Sequence, residues 1–324
     1  MLAPVLFAVR ERSKLPFLHL AVPLLAGLSA AQGFVPPHPG PMAAIKLLGA
    51  DLGKTLALSL VVGTGAFIIS GPLLCSVCPW WKSIEPSGAA GRQFEFHHQA
   101  KFPPRFGWAL LVVLLPVLLI LAATVADLLL ASDQMTRKVA DALGSPLAAM
   151  LLSVLLAYRA LGTNCGFDRP TLLKFTEECL TPIAGILLVI GCGSGFGKVM
   201  SASGAGDAIA AFARNARVSP LIYGWLIAAV IRIATGSATV AIITAAGIVA
   251  PAVAGDLALN RNLLVISMGA GSLILSHVND GGFWLVREYL GLSVADTFKS
   301  WTLAETVLSV SGLLISLLLN ALIG

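Results

Sequence analysis

The chain has 324 residues, of which 57% are hydrophobic and 11% charged, and it carries a formal net charge of +5; its mean hydropathy is +0.90. Soluble domains carry about 25% charged residues, so this composition excludes a soluble globular protein and predicts an all-α integral membrane protein with several spans. The positive charge does not indicate nucleic acid, because the basic residues sit in short loops rather than on one face, as expected of cytoplasmic loops that retain Lys and Arg.

The chain opens with nine largely apolar residues followed by RERSK. That order predicts the cytoplasmic end of a span whose earlier part is absent; a signal-like region in reversed order is the alternative. Candidate spans, each near the roughly 20 residues needed to cross a bilayer, run over 15–34, 53–79, 107–131, 145–161, 180–196, 219–251, 262–276 and 301–323. Several are short or Gly-rich, which predicts re-entrant hairpins among them. Arg10, Arg12 and Lys14 precede the first full span, and Lys82, Arg92, Lys101 and Arg105 occupy the longest loop, so both regions are expected in the cytoplasm. The connection 35–52 is poorer in charge and is expected outside or partly embedded.

The first span runs into VPPHPGP, where prolines flank His38 and predict extended backbone with available polar groups. His38 is there either a ligand-binding residue or a solvated histidine on a rigid external turn. Cys75 and Cys78 form an isolated C-x-x-C, and Cys165, Cys179 and Cys192 are scattered. No second pair completes a metal site, so no metal is expected. Residues 191–207, GCGSGFGKVMSASGAGD, contain a glycine string before Lys198, but the spacing fits neither nucleotide-loop pattern; the glycines suit a hairpin or close packing. No cofactor motif is present.

The stretch 219–251 is long enough to cross yet is interrupted by Arg232 and by Thr235, Gly236, Ser237, Ala238 and Thr239. Hydrocarbon offers the backbone no hydrogen-bond partners, so a break at that depth survives only where it is buried in protein or lines a wet cavity. A half-helix starting there presents free N–H groups and the positive end of its dipole, which suit an anion, and Ser237 and Thr239 add hydroxyls. Close helix packing by small residues is the competing explanation. Arg232 is costly inside a span and requires a partner, either a buried acid or a substrate carboxylate, unless it snorkels to the interface. Further on, SHVNDGGFW places His277, Asn279 and Asp280 at membrane depth. They supply hydrogen-bonding groups for substrate hydroxyls and, in His277 and Asp280, titratable groups for proton coupling; a helix C-cap in which Asn and Asp satisfy local backbone and Gly ends the helix is compatible with both.

The run from the small-residue helix into VPPHPGP parallels the run from ISMGAGSLIL into SHVNDGGF, and each is followed by a further span. Transporters contain two similar halves related by inverted repeats, so His38 and His277 would correspond and roughly 130 residues of the first half would precede Met1. On this reading residues 1–79 end the first repeat, 80–106 form a cytoplasmic linker, and 107–324 form the second repeat.

At TGSATVA, SHVNDGGFW, GFVPPHPGP and GSGFGKVMSASGAGDAIA the sequence resembles the gluconate permease family, proton-coupled sugar-acid symporters within a larger superfamily of organic-anion transporters. The resemblance covers essentially the whole chain, departing where relatives would begin upstream. It implies a polytopic helical transporter with inverted repeats, re-entrant hairpins and discontinuous helices in the bacterial cytoplasmic membrane. It also implies import of gluconate or a related sugar acid with protons. Carried over to this chain, Thr235, Gly236, Ser237 and Thr239 would contact carboxylate and hydroxyls, beside His277, Asn279, Asp280 and His38. The partners expected are a small organic anion, protons and lipid, with homo-oligomerisation left open. Other hydroxy acids or D-serine compete as substrates. A non-transporting remnant and an intramembrane hydrolase using Ser237 with His277, or a His277/Asp280 pair, are the other classes, although no G-x-S-x-G or H-E-x-x-H motif supports the hydrolase.

Overall fold

A chain this apolar has to satisfy its backbone N–H and C=O groups internally, and it does so with helices. The structure, a computed structural model, describes residues 3–86, 102–130, 134–177, 203, 219–256 and 259–323, and contains no strand among them. Among the described residues five helices are long and apolar enough to cross a membrane: Phe17–Leu48, Leu52–Val77, Phe106–Asp127, Pro146–Cys165 and Val294–Ile323. The expected span 180–196 and the glycine string 191–207, Ser203 apart, lie outside the described residues.

The chain forms two units, residues 1–95 with 189–324, and residues 96–188. In chain order the first unit begins with α1 (Ala3–Ser13), α2 (Phe17–Phe34), α3 (Pro39–Leu48), α4 (Leu52–Ile68) and α5 (Leu74–Val77). The second contains α6 (Phe106–Leu129), α7 (Met135–Gly144) and α8 (Pro146–Ala157). The first resumes with α9 (Pro220–Thr235), α10 (Ala238–Val253), α11 (Arg261–Gly271), α12 (Gly281–Leu290), α13 (Val294–Thr297) and α14 (Leu303–Ile323). Within the second unit α7 and α8 fold back on α6, and Ser153 Oγ donates to the Val112 carbonyl at 3.3 Å.

In the first unit three breaks replace continuous spans. The backbone leaves α2 at Val35 and re-enters helix at Pro39, so helix begins immediately after His38. The expectation that prolines forbid helix on both sides of His38 is therefore corrected on its C-terminal side. Proline fits the first helical turn, where its missing N–H would be unpaired anyway. His38 itself is extended, with φ −62° and ψ 143°. The connection 35–52 is not an external loop: Ala44, Ile45 and Leu48 of α3 are buried in a core with Ile242, Ile243 and Ala246 of α10 and Leu264 and Met268 of α11. The expected span 262–276 is corrected as well, because α11 stops at Gly271 after 11 residues. At about 1.5 Å per residue such a helix is too short to cross.

Side-chain caps set these ends. Asp51 accepts from the Lys54 N–H at 2.7 Å at the start of α4, and Asn260 accepts from the Leu263 N–H at 3.2 Å at the start of α11. Asn262 ties the two starts together, its Oδ1 accepting from the Asp51 N–H at 2.9 Å and the Thr55 hydroxyl at 3.0 Å. Deeper in, Ser267 Oγ donates to the Leu221 carbonyl at 2.6 Å and Trp225 Nε1 donates to Ser309 Oγ at 3.1 Å, so α9, α11 and α14 are joined by polar contacts across an apolar core.

Candidate substrate site

The break between α9 and α10 is built by three residues. Gly236 has φ +71°, a conformation that favours glycine, and closes α9 with its N–H on the Arg232 carbonyl at 2.8 Å. Ser237 then caps α10, its Oγ accepting from the Val240 N–H at 3.3 Å, and the first intrahelical bond runs from the Ala241 N–H to the Ser237 carbonyl at 2.9 Å. The N–H groups of Ala238 and Thr239 are thereby left without intrahelical acceptors, as at any helix start. Thr235 is exposed, its hydroxyl donating to the Ile231 carbonyl at 2.8 Å, and Ser237 and Thr239 are half-buried, so the break carries three hydroxyl residues beside those two donors. The arrangement suits a carboxylate or a polyhydroxylated anion.

The break after α11 meets this one directly. A Cβ on Gly236 would lie 2.2 Å from the Asn279 carbonyl oxygen, so the two turns touch backbone to backbone. Asn279 Nδ2 donates to the Ile233 carbonyl at 2.8 Å, and His277 Nε2 lies 3.2 Å from the same oxygen. Both side chains occupy one carbonyl that the end of α9 leaves unpaired. Asn279 is exposed and His277 half-buried.

Arg232 is 4% exposed and pairs with Asp280, while its other terminal nitrogen donates to the Gly236 carbonyl. Its partner is thus a buried acid. Asp280 also accepts from Ser276 Oγ and, capping α12, from the Gly282 N–H at 2.7 Å. Arg232 therefore fastens the α9 break to the α12 start.

The turn around His38 approaches the same place through α3. A Cβ on Gly40 would lie 2.7 Å from Ile242 Cγ2 and 3.9 Å from the Thr239 Cα, which brings the first turn of α3 against the first turn of α10. The His38 Nδ1 is buried without a hydrogen-bond partner. The structure thus gathers the starts of α3, α10 and α12, and with them Thr235, Gly236, Ser237, Thr239, His277, Asn279 and Asp280. His38 lies two residues before the Gly40 contact rather than in a direct hydrogen bond to them.

Sequence reasoning passed over four residues of this neighbourhood. Trp301 Nε1 donates to Ser276 Oγ at 2.7 Å and Thr302 Oγ1 donates to the Ser276 carbonyl at 2.5 Å, which anchors the Asp280 turn to the base of α14. Glu305, one turn further on, is 1% exposed. An acid in a 30-residue apolar span was the available signal. Ser29 of α2 hydrogen-bonds to it, and no sequence feature pointed there. Among the described residues no cluster of His, Cys, Asp and Glu could hold a metal ion.

Several apolar spans, half-helices starting at polar turns and a buried ion pair holding those turns together define a multi-pass helical membrane transporter. The chain belongs to the GntP permease family, whose model, described as GntP family permease, matches residues 1–323. It is 47% identical over 320 residues to a gluconate permease of Pseudomonas aeruginosa, across 99% of this chain and 71% of that one. A gluconate permease of Zymomonas mobilis is 39% identical over 333 residues, covering 99% of this chain and 72% of its own. A high-affinity gluconate transporter of Escherichia coli is 39% identical over 323 residues, covering 100% and 73%. No solved structure gives a significant match.

Proposed function

We propose that the chain imports gluconate or a closely related sugar acid together with protons across the bacterial cytoplasmic membrane. The observation that carries the substrate class is the start of α10, where two free N–H groups and the residues Thr235, Ser237 and Thr239 lie at a break that adjoins the Asn279 and His277 turn. The names of three relatives at 39–47% identity support gluconate in particular. In this reading the carboxylate sits on the Ala238 and Thr239 N–H groups, with the sugar-acid hydroxyls reaching Ser237, Asn279 and His277. His277 and Asp280 are the titratable members of the site, and His38 contributes from the neighbouring turn. Residues 80–106 would link two transmembrane halves.

The direct check is uptake of labelled gluconate into proteoliposomes with an inward proton gradient, beside the Pseudomonas aeruginosa relative as a positive control. Accumulation that collapses with the gradient, and that excess unlabelled gluconate displaces better than D-serine does, is the expected result. Accumulation by the relative and none by this chain would overturn the proposal.

Ser237→Ala separates binding from the cap. Loss of the Val240 cap costs about 1 kcal/mol of local stability, and loss of a hydrogen bond to a substrate hydroxyl raises KM by roughly two- to tenfold. An unchanged KM for gluconate would remove Ser237 from the binding set.

A further inference from the structure

Glu305 is a buried acid that the substrate reading leaves unused. Its Oε1 has no hydrogen-bond partner, and Ser29 of α2 supplies the hydrogen bond to the carboxyl. A carboxylate stripped of water and half-satisfied is strongly disfavoured, so this geometry accommodates the neutral acid. The charged groups that act on it are Arg232 at the end of α9 and Asp280 at the start of α12. Other titratable groups on packed helices are remote: His19 stands ten residues before Ser29 on α2, roughly 15 Å along the axis. Lys54 and Arg261 lie at the far starts of α4 and α11, Lys299 is exposed, and the half-buried Asp296 is held by Ser293. Arg232 thus acts on two acids and is paired with only one.

Resting on the proton-coupled transport proposed above, we infer that Glu305 carries the co-transported proton and that its deprotonated form competes with Asp280 for Arg232. When the Glu305 O–H releases its proton to the cytoplasmic side, the carboxylate left behind attracts the guanidinium. No other covalent bond changes. Because the same guanidinium holds the Gly236 carbonyl, a shift of Arg232 towards α14 loosens the α9–α10 turn where the substrate sits. Proton release and substrate release are then linked through one side chain.

Two measurements on the purified full chain test this. The infrared spectrum of wild-type protein should show the carbonyl stretch of a protonated carboxylic acid that Glu305→Gln lacks. In proteoliposomes, Glu305→Gln should lower gradient-driven accumulation relative to gradient-free gluconate exchange by about tenfold or more, the loss expected when two ligands are uncoupled; Glu305→Asp should restore part of it. A merely structural role would lower exchange and accumulation together. Identical infrared spectra, or an unchanged accumulation-to-exchange ratio, would overturn the inference. Absence of gluconate exchange in wild-type protein would count against the substrate reading, with Glu305 then judged on the infrared band.

Discussion

Gly236→Ala should abolish gradient-driven gluconate uptake. The φ of +71° strains any L side chain, costing about 1–3 kcal/mol when held, and the added methyl would sit 2.2 Å from the Asn279 carbonyl oxygen. The turn cannot relieve this by a rotamer change, because the obstacle is backbone. Either the Asn279 turn moves away, taking the Asn279 and His277 contacts to the Ile233 carbonyl with it, or the α9–α10 turn unwinds and the α10 start loses its aim. Both outcomes remove the proposed anion site while leaving the apolar packing of α9 on α11 intact. The protein is therefore expected to insert and purify, with a lowered melting temperature and no uptake. Wild-type uptake by Gly236→Ala would show that the contact between the two turns is not required for transport.

The second large effect concerns Arg232 and Asp280. Removing one member of a buried pair strands the other, a loss of about 3–5 kcal/mol. Arg232→Met and Asp280→Asn should each lower thermal stability in detergent by an amount of that order and eliminate uptake. The double variant Arg232→Met/Asp280→Asn should recover much of the stability, since no uncompensated charge remains and asparagine can still cap α12 through the Gly282 N–H. Transport should stay absent, because nothing then fastens the Gly236 carbonyl to the α12 start. Single variants as stable as wild type would mean that the pair does not bear on the fold, and transport by the double variant would mean that it does not bear on function.

The break in 219–251 was legible from sequence because Gly, Ser and Thr in succession cannot be read as either a continuous apolar helix or a loop, and the structure places the turn at Gly236. The motif SHVNDGGFW was likewise visible as a cap, though it was expected to end a helix and Asp280 instead caps the start of α12. Its division of labour was not. Asp280 faces inward to Arg232 and Ser276, whereas Asn279, the preceding residue, is exposed at the break. Adjacent residues in a turn point in directions set by their dihedral angles, and composition carries no record of those angles. The length of α11 was misjudged for a related reason: ISMGAGSLIL is uncharged and largely apolar to its end, yet only residues up to Gly271 are helical, and Leu273 and Ile274 are buried in the turn that follows.

What the sequence determined by itself is the membrane setting, the helical class and the positions of the polar interruptions, because each follows from local chemistry: apolar length, and residue types that cannot continue a helix in lipid. Only the tertiary structure decided which interruptions meet. That the starts of α3, α10 and α12 converge, that Arg232 spends its charge on Asp280, and that Glu305 feels the charge of both depends on interactions between residues 25 and more positions apart in the chain. Such contacts arise from how the helices pack, through small residues that let backbones approach and polar groups that need partners away from water, and no local pattern encodes the pairing.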